Sequence, residues 1–216
     1  MACHRGAQVP ADFPHPSSSA DSAGLIDPVD QATDATAGRG RVLVRDATPQ
    51  DMAAVQRIYA HHVLHGTATF EEQPPTVEDM LARRRHVVEL GMPYLVAEAD
   101  AEVVGYCYAA PYRPRIAYRY TLEDSIYLAQ GRAGKGLGKA LLAELLARCE
   151  RGPWRQMIAV IGGNENQASI NLHRGMGFTH VGTQPATGFK FGRWIDVVFM
   201  QRALGSGGSA PPSDLP

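Results

Sequence analysis

Apolar and polar positions along this chain fall into blocks whose period changes repeatedly, and each change marks an expected element. Val42-Leu43-Val44 is a short, mainly β-branched run ended by Thr48-Pro49, which can cap and open a helix through Asp51, Val55, Ile58 and Tyr59. A second helix is expected from Thr76 to about Leu90, stopped by Gly91 and Pro93. Tyr94 to Ala97 and Val103 to Ala109 read as strands joined by the polar stretch Glu98 to Glu102, a hairpin pattern. Leu122 to Leu128 alternates as a further strand. A glycine-rich loop then leads into Leu137, Leu141, Leu142, Leu145 and Leu146, an apolar stripe at helical spacing. Met157 to Ile161 is a continuous apolar run suited to a buried strand; a short helix from about Asn166 to Gly175 and two strands ending near Met200 complete the order βααβββαβαββ.

Composition sets the limits of this pattern. The chain has 216 residues, 44% hydrophobic and 20% charged, enough for one globular domain of ordinary size. Residues 1–40 hold eight Ala, four Ser, four Gly and four Pro, and Phe13 is their only aromatic, so this segment is expected to be a disordered, solvated tail. Residues 205–216 are Gly, Ser, Pro or Ala at ten of twelve positions and carry the same expectation, which leaves the domain at 41–204. A formal net charge of -1 provides no bulk field toward nucleic acid or anionic lipid, so any anion site must be local. No apolar run approaches the roughly 20 residues that span a bilayer, and no apolar stretch of secretory type follows Arg5. With Cys3, Cys107 and Cys149 odd in number and lacking metal-ligand spacing, reduced thiols in a cytoplasmic protein are expected.

The chemistry concentrates in Gly131-Arg132-Ala133-Gly134-Lys135-Gly136-Leu137-Gly138-Lys139. Closely spaced glycines let main-chain N–H groups turn toward a ligand, and a following helix N-terminus adds partial positive charge, which suits phosphate or pyrophosphate. A P-loop is excluded, because Ala133 stands where its first glycine is required and Ala140 replaces the hydroxyl residue. A dinucleotide fingerprint also fails: counting from Gly134 or from Gly136, Lys139 or Leu141 occupies the sixth position. A turn without a ligand is the remaining alternative from the loop alone.

The loop resembles the acetyl-CoA loop Q/R-x-x-G-x-G/A of the GNAT superfamily of N-acetyltransferases, with Ala133 in the Gln/Arg position and the main-chain cradle intact. Arg132 or Lys135 is a candidate to replace the missing charge. The resemblance extends through Arg119 to Leu128 before the loop, then Asn166 to His173, Gly177-Phe178 and Phe189 to Val197 after it. Together these segments, covering about residues 42–204, are similar to the phosphinothricin and methionine sulfone or sulfoximine acetyltransferase branch. That resemblance implies an α/β (α+β) fold with a mixed, mostly antiparallel central sheet flanked by helices, its central strands splayed to hold acetyl-CoA.

Acetyl transfer from a thioester to an amine needs a neutral amine, a place for developing oxyanion charge and a proton for the departing thiolate. Glu123, in the alternating strand, is the implied general base; without the resemblance it reads as a strand glutamate paired with Arg115 or Arg119. His173 is implied as the acid for the leaving sulfur, the alternative being a histidine that caps or packs its helix. The implied cofactor-binding set is Ile126, Tyr127, Leu128, Gly134, Lys135, Gly136, Leu137, Gly138, Lys139 and Asn166, the last also able to cap the short helix. Arg113 and Arg115 present guanidinium forks for a carboxylate, phosphinate or sulfone, and with Asp124 form the expected substrate-binding set. Phe70, Tyr118 and Trp194 are candidate pocket walls.

His61 and His65 stand four apart on a helix, but no third ligand is placed nearby and the reaction needs none, so no metal is expected. The expected partners are a small amino-acid-like acceptor and a second copy of the chain, with neither nucleic acid nor a membrane. Two other functions fit the loop: a CoA-binding regulatory module without catalysis, and an acetyltransferase acting on a protein N-terminus or lysine. Retention of Glu123 and His173 favours the enzyme, and the Arg113/Arg115 pair favours a small anionic acceptor.

Overall fold

The computed structural model describes residues 42–212. The expected N-terminal tail lies outside these residues, as do positions 213–216. Eleven principal elements follow the expected order: β1 (Val42–Asp46), α1 (Met52–His65), α2 (Val77–Glu89), β2 (Tyr94–Ala99), β3 (Glu102–Pro111), β4 (Thr121–Leu128), α3 (Leu137–Glu150), β5 (Gln156–Gly162), α4 (Gln167–Gly175), β6 (Thr179–Lys190) and β7 (Arg193–Ala203).

Helix entries are set by local chemistry. Thr48 and Asp51 form a reciprocal capping box with Pro49 in the first turn, and this turn is a 3₁₀ helix over Pro49–Asp51 that feeds α1. Thr76 and Asp79 repeat the device at α2, where the Asp79 N–H donates to Thr76 Oγ1 at 3.1 Å. Gly91, at φ +75°, lets the chain leave α2 in the left-handed region. The β2–β3 connection is shorter than its polar composition suggested. Glu98 pairs with Val103 and Ala99 with Glu102, leaving Asp100 and Ala101 as a two-residue turn with φ of 54° and 61°, as a primed hairpin turn requires.

The seven strands form one sheet in the order β1-β2-β3-β4-β5-β7-β6, antiparallel throughout except for β4 against β5. Tyr106 and Cys107 are neighbours in β3, so the pleat sends them to opposite faces. Tyr106 stacks on Tyr127, whose ring meets Tyr59 of α1, while the Cys107 thiol lies 3.5 Å from the Leu141 carbonyl of α3. Helices α1 and α3 therefore cover opposite faces. The α3 stripe Leu137, Leu141, Leu142, Leu145 and Leu146, with Cys149, is buried against β2, β3 and β4. Each such side chain contributes about 1.5–3 kcal/mol from burial.

The feature that prepares a site is the short parallel contact. β4 and β5 pair only from Thr121 with Gln156 to Asp124 with Ala159, and beyond that point β5 keeps β7 as its partner while β4 keeps β3. The strands part, and the β5-facing edge of β4 from Ser125 to Leu128 has no strand neighbour. At the other end of the domain, Leu204 is buried and accepts a hydrogen bond from the Gly207 N–H at 2.9 Å, closing a turn after β7.

Candidate active site

The gap between the parted strands opens into a cleft of about 800 Å³ that extends from Glu123 and Asp124 to the glycine-rich loop. Glu123 stands at its β4 end. By the pleat, Glu123, Ser125 and Tyr127 face α1, whereas Asp124, Ile126 and Leu128 face α3 and α4. Burial raises the Glu123 pKa to about 7, the neighbouring Asp124 charge pushes the same way, and Arg113 opposes them. Among the described residues Glu123 makes no ion pair. Arg119 instead bonds the Ile116 carbonyl at 3.3 Å and lies over the Tyr120 ring.

On the opposite face, Asp124 and His173 form a closed pair. Nε2 of His173 lies 2.9 Å from Asp124 Oδ2, and Nδ1 lies 2.8 Å from the Ser169 carbonyl. Both ring nitrogens thus meet acceptors, an arrangement satisfied by a doubly protonated ring beside a carboxylate. Burial disfavours the charged ring, but the hydrogen bond and charge of Asp124 outweigh it and raise the His173 pKa above the ordinary value. Asp124 Oδ1 is buried with no partner among the described residues. Its side chain is turned to His173 rather than to Glu123.

The loop forms the other end of the cleft. Gly131, Gly134 and Gly136 have φ of +74°, +76° and +81°, and Gly136 is the N-cap of α3 with no side-chain capping bond. Ala140 N–H bonds the Gly136 carbonyl, so the N–H groups of Leu137, Gly138 and Lys139 precede the first intrahelical bond and have no helical acceptor. Gly138 also serves packing, since a Cβ there would stand 3.1 Å from Leu172 of α4. Arg132 is drawn toward Glu102 at 3.6 Å, while Lys135 and Lys139 are exposed. Of the two candidates to replace the charge missing at Ala133, Lys135 is the one without an ion pair.

Ile126, Tyr127 and Leu128 contribute to the cleft through the unpaired main-chain edge. The Tyr127 ring itself packs on Tyr59 and His62, and its hydroxyl donates to the Ala68 carbonyl at 3.4 Å. Asn166 uses Oδ1 to cap α4 through the Ser169 N–H at 3.3 Å, leaving its amide NH₂ at the cleft. Arg113 and Arg115 are both exposed. Arg113 stacks on Tyr112 and lines a neighbouring cavity of about 470 Å³ with Tyr118 and Thr121, close enough in charge to act on Glu123. Phe70 lines the main cleft, whereas Trp194 is exposed and packs edge-on against Phe189.

Sequence reasoning missed the α1–α2 loop, whose Thr67, Ala68 and Thr69 join Phe70 in the cleft wall. The available signal was Lys190, a cation in an otherwise half-apolar strand, which the structure buries against that loop. His61 and His65 lie on α1 with rings 4.9 Å apart. Among the described residues no group of three or more His, Cys, Asp or Glu is arranged to hold a metal ion.

A mixed sheet parted at one parallel contact, with a carboxyl at the parting and an uncapped helix N-terminus at the far end, is the arrangement that the resemblance to N-acetyltransferases implies. Residues 44–199 match the acetyltransferase (GNAT) domain family, and the chain belongs to that family as an N-acetyltransferase. It is 53% identical over 169 residues to a phosphinothricin N-acetyltransferase of Alcaligenes faecalis, covering 78% of this chain and 86% of that protein. It is also 39% identical over 161 residues to an L-methionine sulfoximine/L-methionine sulfone acetyltransferase of Salmonella typhimurium, covering 74% and 94%. Among solved structures, a GNAT superfamily phosphinothricin acetyltransferase from Sinorhizobium meliloti in complex with acetyl-CoA superimposes with a TM-score of 0.78 at 48% identity, covering 80% of this chain and 94% of that one.

Proposed function

We propose that this chain transfers the acetyl group of acetyl-CoA to the α-amino group of a small amino acid or analogue of the phosphinothricin or methionine sulfone type, by direct attack in a ternary complex. The observation that carries this reading is the placement of Glu123: a carboxyl raised to about pH 7 stands where β4 and β5 part, at the opposite end of one cleft from the glycine-rich loop. Similarity to enzymes named for those acceptors supports the substrate class.

The residues fit acetyl-CoA. The open N–H groups at the start of α3 and the left-handed glycines before it suit a pyrophosphate, and the free edge of β4 with the Asn166 amide suits a pantetheine arm. When bound, acetyl-CoA supplies the activated acetyl thioester. Glu123 takes the proton from the acceptor ammonium, directly or through water, and its pKa leaves it a base strong enough to do so near neutrality. His173 stands on the α3–α4 face as the proposed origin of the proton for the leaving sulfur; both of its ring nitrogens already meet protein acceptors, so that proton leaves only when one of these hydrogen bonds opens, and Asp124 is a positioning carboxylate in this reading. Arg113 and Arg115 provide the cations for the acceptor's acidic group.

The expected setting is the cytoplasm. Cys107 and Cys149 are unpaired and buried, and among the described residues no helix is long and apolar enough to cross a membrane. The decisive experiment is thiol release from acetyl-CoA with L-methionine sulfone as acceptor. Acceptor-dependent release is expected, whereas binding of acetyl-CoA without turnover on any amino acid analogue would return the chain to the regulatory-module alternative.

A further inference from the structure

The α1–α2 loop that walls the cleft is fixed by β6, the edge strand of the sheet. Lys190, the last residue of β6, is only 2% exposed, and its Nζ donates to the Gly66 carbonyl at 2.9 Å and the Thr69 carbonyl at 2.8 Å. A lysine is rarely buried unless its donors are occupied, and here both acceptors are main-chain oxygens of one short loop. One ammonium therefore fastens both ends of the segment that carries Thr67 and Ala68.

Two missing side chains complete the seat. A Cβ at Gly188 of β6 would clash with the Phe70 ring, and one at Gly162, the end of β5, would clash with the Thr67 carbonyl. Thr67 Oγ1 also donates to the Gly162 carbonyl at 3.3 Å, and Tyr127 of β4 reaches Ala68. The loop is thus gripped by β4, β5 and β6 together, with the Phe70 ring seated against Gly188. Phe70 remains 41% exposed and faces the same cleft as Glu123. Nothing in acetyl transfer requires a cation at position 190, because it lies under the loop and touches no cleft-facing atom of Glu123 or the glycine-rich loop.

We propose that Lys190 is a positioning residue that, with the side-chain-free seat at Gly188, locks the 66–70 loop and its Phe70 ring into place as the acceptor wall, and so sets which acceptor side chains fit. This rests on the acetyltransferase reading above. The wall acts on the acceptor alone, so its loss should separate the acceptor's kinetic constants from those of acetyl-CoA.

The test uses the full chain and four variants: Lys190→Met, Gly188→Ala, Phe70→Ala and the Gly188→Ala/Phe70→Ala double variant. Lys190→Met should raise the KM for L-methionine sulfone about tenfold while kcat and the acetyl-CoA KM change less than about twofold. Gly188→Ala unseats the ring, so kcat/KM for the bulkier L-phenylalanine should rise about tenfold relative to methionine sulfone, within the range that hydrophobic pockets discriminate. That shift should vanish when Phe70 is already alanine. Hydrogen exchange gives a readout independent of turnover: the amides of 67–70 should exchange at least about tenfold faster in Lys190→Met, with the amides of α3 unchanged. Unchanged exchange at 67–70 overturns the proposal whatever the activity. So does a Gly188→Ala effect that persists without Phe70, or a fall in kcat with a rise in both KM values. Absence of turnover in the wild-type chain with the exchange result as expected would instead overturn the acetyltransferase reading and leave the loop lock standing.

Discussion

Glu123 carries the strongest chemical consequence of any single side chain here, because its burial shifts both reactivity and stability. With a pKa of about 7 in the fold against 4.5 for an ordinary glutamate, the folded chain holds a proton between those pH values that the unfolded chain has released. Stability from this group therefore falls as pH rises from about 4.5 to 7 and stays reduced above it, by an amount on the order of 3 kcal/mol. Activity runs the other way, since the base must be deprotonated. Glu123→Gln should thus lower kcat by roughly 10²- to 10⁴-fold and at the same time raise the melting temperature at pH 8 more than at pH 5. Wild-type kcat/KM should fall on the acid side of about pH 7. A glutamate serving only as an ion-pair partner predicts the reverse stability effect, so thermal melts at the two pH values together with steady-state rates decide the matter. Asp124 contributes to both sites at this scale: its charge helps raise Glu123 on one face while its Oδ2 holds His173 on the other.

At the scale of elements, the junction of the glycine-rich loop with α3 was legible because turn chemistry is local. Positive φ at Gly134 and Gly136 is what closely spaced glycines permit, and the leucine stripe after them has the helical period. A side chain at position 136 would have to adopt φ of +81° at the N-terminus of α3, where its Cβ would meet no other atom within 4 Å, so the strain is in the backbone rather than in packing. Gly136→Asp adds a negative charge there as well, so acetyl-CoA affinity measured by isothermal titration should drop at least about a hundredfold, a difference of about 2.7 kcal/mol. Unchanged affinity in a folded variant would remove this loop from the cofactor site. The hairpin of β2 and β3 was read less well. Its polar residues Glu98 and Glu102 suggested a loop, yet main-chain pairing and a tight Asp100-Ala101 turn extend both strands through them. Backbone hydrogen bonding is indifferent to side-chain polarity at positions where the side chain reaches solvent.

For the whole molecule, the sheet is held across its middle by four parallel register pairs between β4 and β5, and the gap beyond them is where acetyl-CoA is proposed to lie. A ligand seated there would join the two halves of the sheet and bind only the folded state. Saturating acetyl-CoA, at about a hundred times its dissociation constant, should stabilise the protein by about 2.7 kcal/mol, seen as a concentration-dependent rise in melting temperature. The Gly136→Asp variant should show little of it, and a wild-type melting temperature indifferent to acetyl-CoA would count against the gap as the binding site.

The sequence by itself determined the order of elements, the helix starts at Thr48 and Thr76, the glycine-rich turn and the presence of Glu123 on an alternating strand. Each depends on residues a few positions apart, where periodicity and turn chemistry act directly. Tertiary structure alone decided which groups meet. The pleat puts Glu123 and Asp124 on opposite faces, an arrangement that acquires meaning only once helices cover both sides of the sheet. His173 finds Asp124 across 49 residues of chain, and Lys190 finds Gly66 across 124. The parting of β4 and β5 likewise follows from β5 keeping β7 and β4 keeping β3, a choice of partners made by the whole sheet. No local pattern encodes such encounters, because they are selected by the burial and hydrogen bonding of the assembled fold.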